Sequence, residues 1–240
     1  SKNSNLPGFR KGKAPKKLIE EKLDKTKIKE ETLRRLLPGA YIEAVKEHTL
    51  KPIMDPRIHL EGELTKDKDW EFHAITCEAP KTDLENYKSA VKEITAKSKI
   101  VVPGKISETP KLDDIIKALL ESVKTTIPQV LAEREADRLL SQTLDEIKRL
   151  GMSLDQYLSS TGKRAEDLRA EYVQKAQNDL KLEFVLQKVA ESEKITVDDS
   201  EIEKTIENAK PEEKESLRSN KYLLASILRQ QKTLDFLKSL

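Results

Sequence analysis

With 240 residues the chain is long enough for one or two cores. At 37% charged, 36% hydrophobic and 4% aromatic, however, it excludes a compact aromatic-rich enzyme and points to long helices with much wetted surface. Residues 1–35 hold twelve Lys/Arg against five Asp/Glu, a surplus of seven that leaves −5 on the rest of a chain of total charge +2. A wholesale polyanion binder is thereby excluded, and one localised anionic partner is expected.

The first acid is Glu20, so residues 1–19 form a purely basic opening around LPGFRKGKAP (6–15). Residues 16–47 are expected to be helical, with a break at Pro38-Gly39, and Pro52 and Pro56 exclude regular helix over 48–56. RIHLEGEL (57–64) and DWEFHAITC (69–77) predict two short strands joined by the polar TKDKD. Thr82 and Glu85 have the spacing of a capping box before a short helix. AKSKIVVPGKISETPK (96–111), with two prolines and a glycine, reads as the domain boundary.

Beyond it almost everything is expected to be helical. Pro128 opens a helix that Gly151 ends, SLDQYLSSTG (153–162) makes a short helix and turn, and Lys163–Ser192 runs without Gly or Pro. A helix of that length spans about 45 Å. Asp198 and Glu201 form a second capping box, and Pro211 opens a last helix with Tyr222, Leu223, Ile227, Leu228, Leu234 and Leu237 on its apolar face. Narrow stripes on separate long helices cannot all close on one another, so apolar grooves are expected, with Val130, Leu140, Leu144, Tyr172, Leu180, Tyr222 and Ile227 as the residues to line them.

Few motifs carry chemistry. GFRKGK has three residues between its glycines where a Walker A loop has four, and Ala14 follows Lys13 where that loop needs Ser or Thr for Mg²⁺. No nucleotide is expected. His59, His73 and Cys77 lie along the hairpin but match no common zinc spacing, so neither a metal nor any other cofactor is expected. Cys77, the single cysteine, excludes a disulfide framework and fits a reducing compartment. No apolar run reaches the roughly 18 residues of a membrane helix and no signal peptide is visible, so the cytoplasm is expected and no membrane partner. The basic loop reads either as a solvated turn of lysines or as a device in which Phe9 inserts into a groove while the cations pair with phosphate or carboxylate. RNA and an acidic protein surface both fit.

LPGFRKGKAP resembles the signature loop of the trigger factor family, G-F-R-x-G-K-x-P, with Gly8, Phe9, Arg10, Gly12, Lys13 and Pro15 matching in order. Independently, IPQVLAEREADRLL and the stretch from LGMSLDQYL to TVDDSEI are similar to that family's carboxy-terminal helical domain. The resemblance implies a mostly α fold with a small α+β amino-terminal part and an elongated helical-arm domain. Residues 1–87 would be the ribosome-binding domain, 88–111 a linker in place of the prolyl isomerase domain, and 112–240 the chaperone domain. Part of the first domain would be missing, as the opening Ser1 also suggests of a chain trimmed at its start. The implied function is ATP-independent holding of nascent or unfolded polypeptide, without isomerase activity. Gly8, Phe9, Arg10, Lys11, Gly12, Lys13 and Pro15 would dock on a large-subunit protein and neighbouring RNA at the ribosomal exit tunnel. The other function class is a helical scaffold or RNA-binding protein with a basic amino-terminal loop.

Overall fold

In the computed structural model the described residues are 25–62, 69–98 and 111–240, and they fall into two units divided between Ala79 and Pro80. The first unit holds helix α1 (Lys25–Glu47) and an antiparallel hairpin of β1 (Arg57–Glu61) and β2 (Glu71–Ile75). Period-two alternation puts Ile58, Leu60, Phe72 and Ala74 on one face of the hairpin and Arg57, His59, Glu61, Glu71, His73 and Ile75 on the other. The expected break at Pro38 does not occur. Proline inside a helix costs about 3 kcal/mol, yet α1 runs through it, and Leu33, Leu37 and Ala40, on either side of it, line a groove with Leu60, Trp70 and Phe72. Behind the hairpin, Pro52 bridges Glu78, the Glu78 carboxylate accepts from the Lys51 N–H at 2.7 Å, and the Thr76 hydroxyl donates to the Met54 carbonyl at 3.1 Å.

The second unit is helical. It comprises α2 (Tyr87–Ser98), α3 (Leu112–Ser122), α4 (Gln129–Arg149), α5 (Leu154–Thr161), α6 (Ala165–Ser192), α7 (Asp199–Asn208), α8 (Pro211–Ser219) and α9 (Lys221–Ser239), with a minimal ladder of β3 (Thr82–Asp83) and β4 (Lys124–Thr125). Its main core joins Tyr87 and Val91 of α2, Ile115 and Leu119 of α3, Val185 and Val189 of α6 and Leu237 of α9. The stretch expected to be a linker from residue 88 is therefore helix as far as Ser98, and its apolar side is core. Thr82 does not cap a helix. It pairs with Thr125, hydroxyl to hydroxyl at 3.2 Å, Asp83 accepts from the Glu85 N–H at 3.1 Å, and α2 starts only at Tyr87.

Elsewhere the local signals agree with the fold. Ser153 and Gln156 form a reciprocal capping box on α5, Gly162 ends that helix at φ 66°, and Gly151 closes α4 at φ 75°. Asp198 and Glu201 cap α7 as expected. The last helix is split: α8 opens on Pro211, ends before Asn220, and α9 restarts at Lys221. Along α9, Leu224 and Leu228 pack with Ile202 and Ile206 of α7, whereas Leu234 and Leu237 join the main core.

Several carboxylates join the helices, Glu193 and Glu201 among them. Glu193, at the carboxy-terminal end of α6, accepts from the Tyr87 hydroxyl and the Lys88 ammonium, both at 2.8 Å. Those two donors hold its carboxyl below the ordinary value of 4.5, Lys88 contributing most, while burial and then Glu193 push the Tyr87 phenol up. Glu201 is held low in the same way by Lys232, 2.6 Å away. A carboxyl depressed by folding contributes stability above its unfolded value and loses it as pH falls through its folded value. The unit is therefore expected to keep a constant thermal midpoint from neutrality to about pH 5 and to lose stability below about pH 4.3. Glu193→Gln should flatten that acid limb in a melting series read by circular dichroism.

Candidate functional site

The seven apolar residues expected to line grooves separate into two groups. Val130, Leu140 and Leu144 on α4, with Tyr172 and Leu180 on α6, are half-buried. Helices α4 and α6 pack along each other, the Tyr172 and Thr143 hydroxyls meet at 2.6 Å, and Arg169 reaches Asp137 at 3.3 Å. Of these five, Tyr172 is bonded across the α4–α6 pair. Tyr222 and Ile227 differ: they are 92% and 53% exposed, and the neighbouring Leu223 is 59% exposed.

Exposure there follows from how α9 is anchored. Its start is anchored by Leu224, and Tyr222 and Leu223, roughly 160° and 100° around the helix from it, face away from that contact, whereas Thr233 and Leu237 are buried only further along the helix. Tyr222 and Leu223 stand on the wall of a groove of about 670 Å³ between the second half of α6 and the start of α9. Buried Leu186, Ala190 and Thr233 also line it, and Ile195, Thr196 and Val197 from the α6–α7 connection form another wall. That connection is held in place: Arg229 Nε donates to the Ile195 carbonyl and Lys232 Nζ to the Thr196 carbonyl, each at 2.9 Å. Arg229, the cation in the lining, thus points at a protein carbonyl, and the rest is an open trough of mainly apolar surface with Glu183 and amide and hydroxyl groups beside it. It can take up apolar side chains of another chain; it has no constellation for bond-making.

The sequence signal that finds Leu223 is its place beside Tyr222 on the last apolar stripe. Ile195 and Val197 were missed because a connection between helices carries no periodicity to read. A smaller groove of about 450 Å³ lies in the first unit, lined by Leu33, Leu36, Leu37, Leu60, Trp70 and Phe72 among others, with Leu36 58% exposed. The nearby Tyr41 hydroxyl is buried without a hydrogen-bond partner among the described residues. The basic loop, with Gly8, Phe9, Arg10, Lys11, Gly12, Lys13 and Pro15, lies outside the described residues. Among the described residues no three His, Cys, Asp or Glu groups converge as a metal site, and no helix is long and apolar enough to cross a membrane. His73 is solvent-facing, its Nε2 2.8 Å from a Glu61 carboxylate oxygen, and Cys77 lies past the end of β2 rather than within it.

Comparison with known proteins agrees with the sequence resemblance. Residues 1–109 match the family described as "Bacterial trigger factor protein (TF)", and residues 104–239 match "Bacterial trigger factor protein (TF) C-terminus". The chain is similar to "Trigger factor" of Shouchella clausii, 27% identical over 93% of this chain and 48% of the relative. It is similar also to "Trigger factor" of Lysinibacillus sphaericus, 26% identical over 98% of this chain and 53% of the relative. "Trigger factor" of Staphylococcus carnosus is 37% identical over 87 residues, 36% of this chain and 20% of the relative. The chain spans about half the length of the relatives that it matches nearly end to end. No solved structure matches it. Over more than half of its length the chain fits the carboxy-terminal family model, and it belongs to the trigger factor family.

Proposed function

We propose that the chain is a cytoplasmic, nucleotide-independent chaperone. It docks at the ribosomal exit tunnel through the loop from Gly8 to Pro15, on a large-subunit protein and adjacent RNA, and holds nascent or unfolded polypeptide on its helical unit. The observation that carries the holding role is the exposed Tyr222–Leu223–Ile227 set beside the 670 Å³ groove, apolar surface that the fold leaves uncovered. We assign docking to the part up to Ala79 and holding to the part from Pro80, in place of a boundary at residue 87. Prolyl isomerase activity is not part of this reading. The two family matches overlap over residues 104–109 and so adjoin, whereas an inserted domain would need upwards of about 50 residues between them.

Docking rests on charge and on one aromatic. In a pelleting assay with 70S ribosomes, replacing Phe9, Arg10 and Lys11 together by alanine is expected to abolish co-sedimentation while helicity stays unchanged. Phe9→Ala alone, with every cation kept, should also weaken it. Equal pelleting of parent and triple variant would refute the docking assignment. Raised salt should release the ribosome yet spare client holding, because charge is screened over about 8 Å at physiological ionic strength and apolar burial is not screened at all.

A further inference from the structure

Two of the chain's three histidines stand directly opposite each other. In the hairpin register His59 pairs with His73 and Glu61 with Glu71, so these four side chains form two adjacent rungs on one face, all exposed. The opposite face carries Leu60 and Phe72 toward α1, which leaves this one to solvent. Side chains on neighbouring rungs already meet, since His73 Nε2 lies 2.8 Å from a Glu61 carboxylate oxygen.

We propose that His59 and His73 chelate one borderline divalent transition ion, with the Glu61 carboxylate turning from its bond to His73 to serve as a third ligand and water filling the rest. Directly opposed residues on an antiparallel pair have Cβ atoms about 4.5–5.5 Å apart. Two imidazole nitrogens bound to one metal at about 2.0–2.1 Å lie roughly 3 Å from each other, a gap that two rings on such a rung can close by turning about χ1 and χ2. As the side chains stand, the imidazole of His73 faces Glu61 and no three donors converge, so occupancy requires that turn. The ladder fixes the two backbones beforehand, which makes the pair bidentate rather than two independent ligands. Imidazole suits Cu²⁺, Ni²⁺ and Zn²⁺ and disfavours Mg²⁺ and Ca²⁺. The spacing along the chain hides this arrangement, because a separation of 14 positions matches no common motif; only the strand register brings them together.

Titration of the full chain with Ni²⁺ alone, followed by calorimetry, tests the site. One equivalent should bind; His59→Gln and His73→Gln should each weaken it at least fivefold, and His48→Gln, on the histidine outside the hairpin, less than twofold. His59→Thr, which keeps a good strand former, should behave as His59→Gln does, with unchanged far-UV circular dichroism confirming that the loss is not unfolding. A loss below fivefold in either hairpin variant, or a loss of twofold or more in His48→Gln, would overturn the proposal.

Discussion

A fragment starting at residue 112 will fail to reach the native helical unit, and one starting at Pro80 will fold. The shorter piece retains all the helices from α3 onward, but it lacks Tyr87 (4% exposed) and Val91 (0%), which sit in one core with Ile115, Leu119, Val185, Val189 and Leu237. Burial of an aromatic or branched aliphatic side chain is worth about 1.5–3 kcal/mol. Losing two of them, and uncovering the faces of α3 and α6 that they shield, removes much of the roughly 5–15 kcal/mol that a domain of this size has to spare. The β3 strand and the Tyr87–Glu193 and Lys88–Glu193 contacts go with them. Urea melts of the two fragments decide the matter: a cooperative transition of equal midpoint in both would show that α2 is dispensable.

Replacing Tyr222, Leu223 and Ile227 together by serine is expected to abolish most of the client holding and to leave stability almost untouched. All three are exposed, and surface changes usually stay within about 0.5 kcal/mol each. A client segment that covers them in part gains on the order of 3 kcal/mol before ordering costs. The amount of protein needed to suppress aggregation of a denatured client should therefore rise at least about tenfold. The same triple change leaves the residues of the basic loop as they are, so ribosome pelleting should not move. A variant that holds clients as well as the parent does would assign holding to another surface, and Leu150, 73% exposed at the end of α4, would be the next to substitute.

How much of this was legible beforehand depends on where each signal acts. The Asp198–Glu201 box, the glycine stops at 151 and 162 and the alternation of β1 and β2 are local, and local chemistry settled them. Pro38 acts on the backbone locally, yet α1 runs through it, with apolar residues on both sides that line a groove shared with the hairpin. Non-local packing decides α2: charged and short, it looks like linker until Tyr87 and Val91 are seen to share a core with Val185, Val189 and Leu237, far along the chain. At the groove the stripe on the last helix was visible, but not which of its residues would turn outward. That depends on Leu224 and Leu228 finding α7 while Leu234 and Leu237 find the main core. The basic loop lies outside the described residues, and its reading rests on the contiguous glycines and cations of the sequence alone.

The α4–α6 pair is built on very small residues: Ala132 and Ala136 on one helix and Ala176 on the other are fully buried. Alanine lets two backbones come close and gives up no side-chain freedom in doing so. It also leaves no compressible layer between them. A single methylene added at one of these positions cannot be absorbed by a neighbouring side chain turning away. It acts instead as a wedge, and over the 28 residues of α6 even a small angular opening multiplies with distance from the pivot. Angular precision at the far end of the pair is therefore set by three of the smallest side chains in the fold.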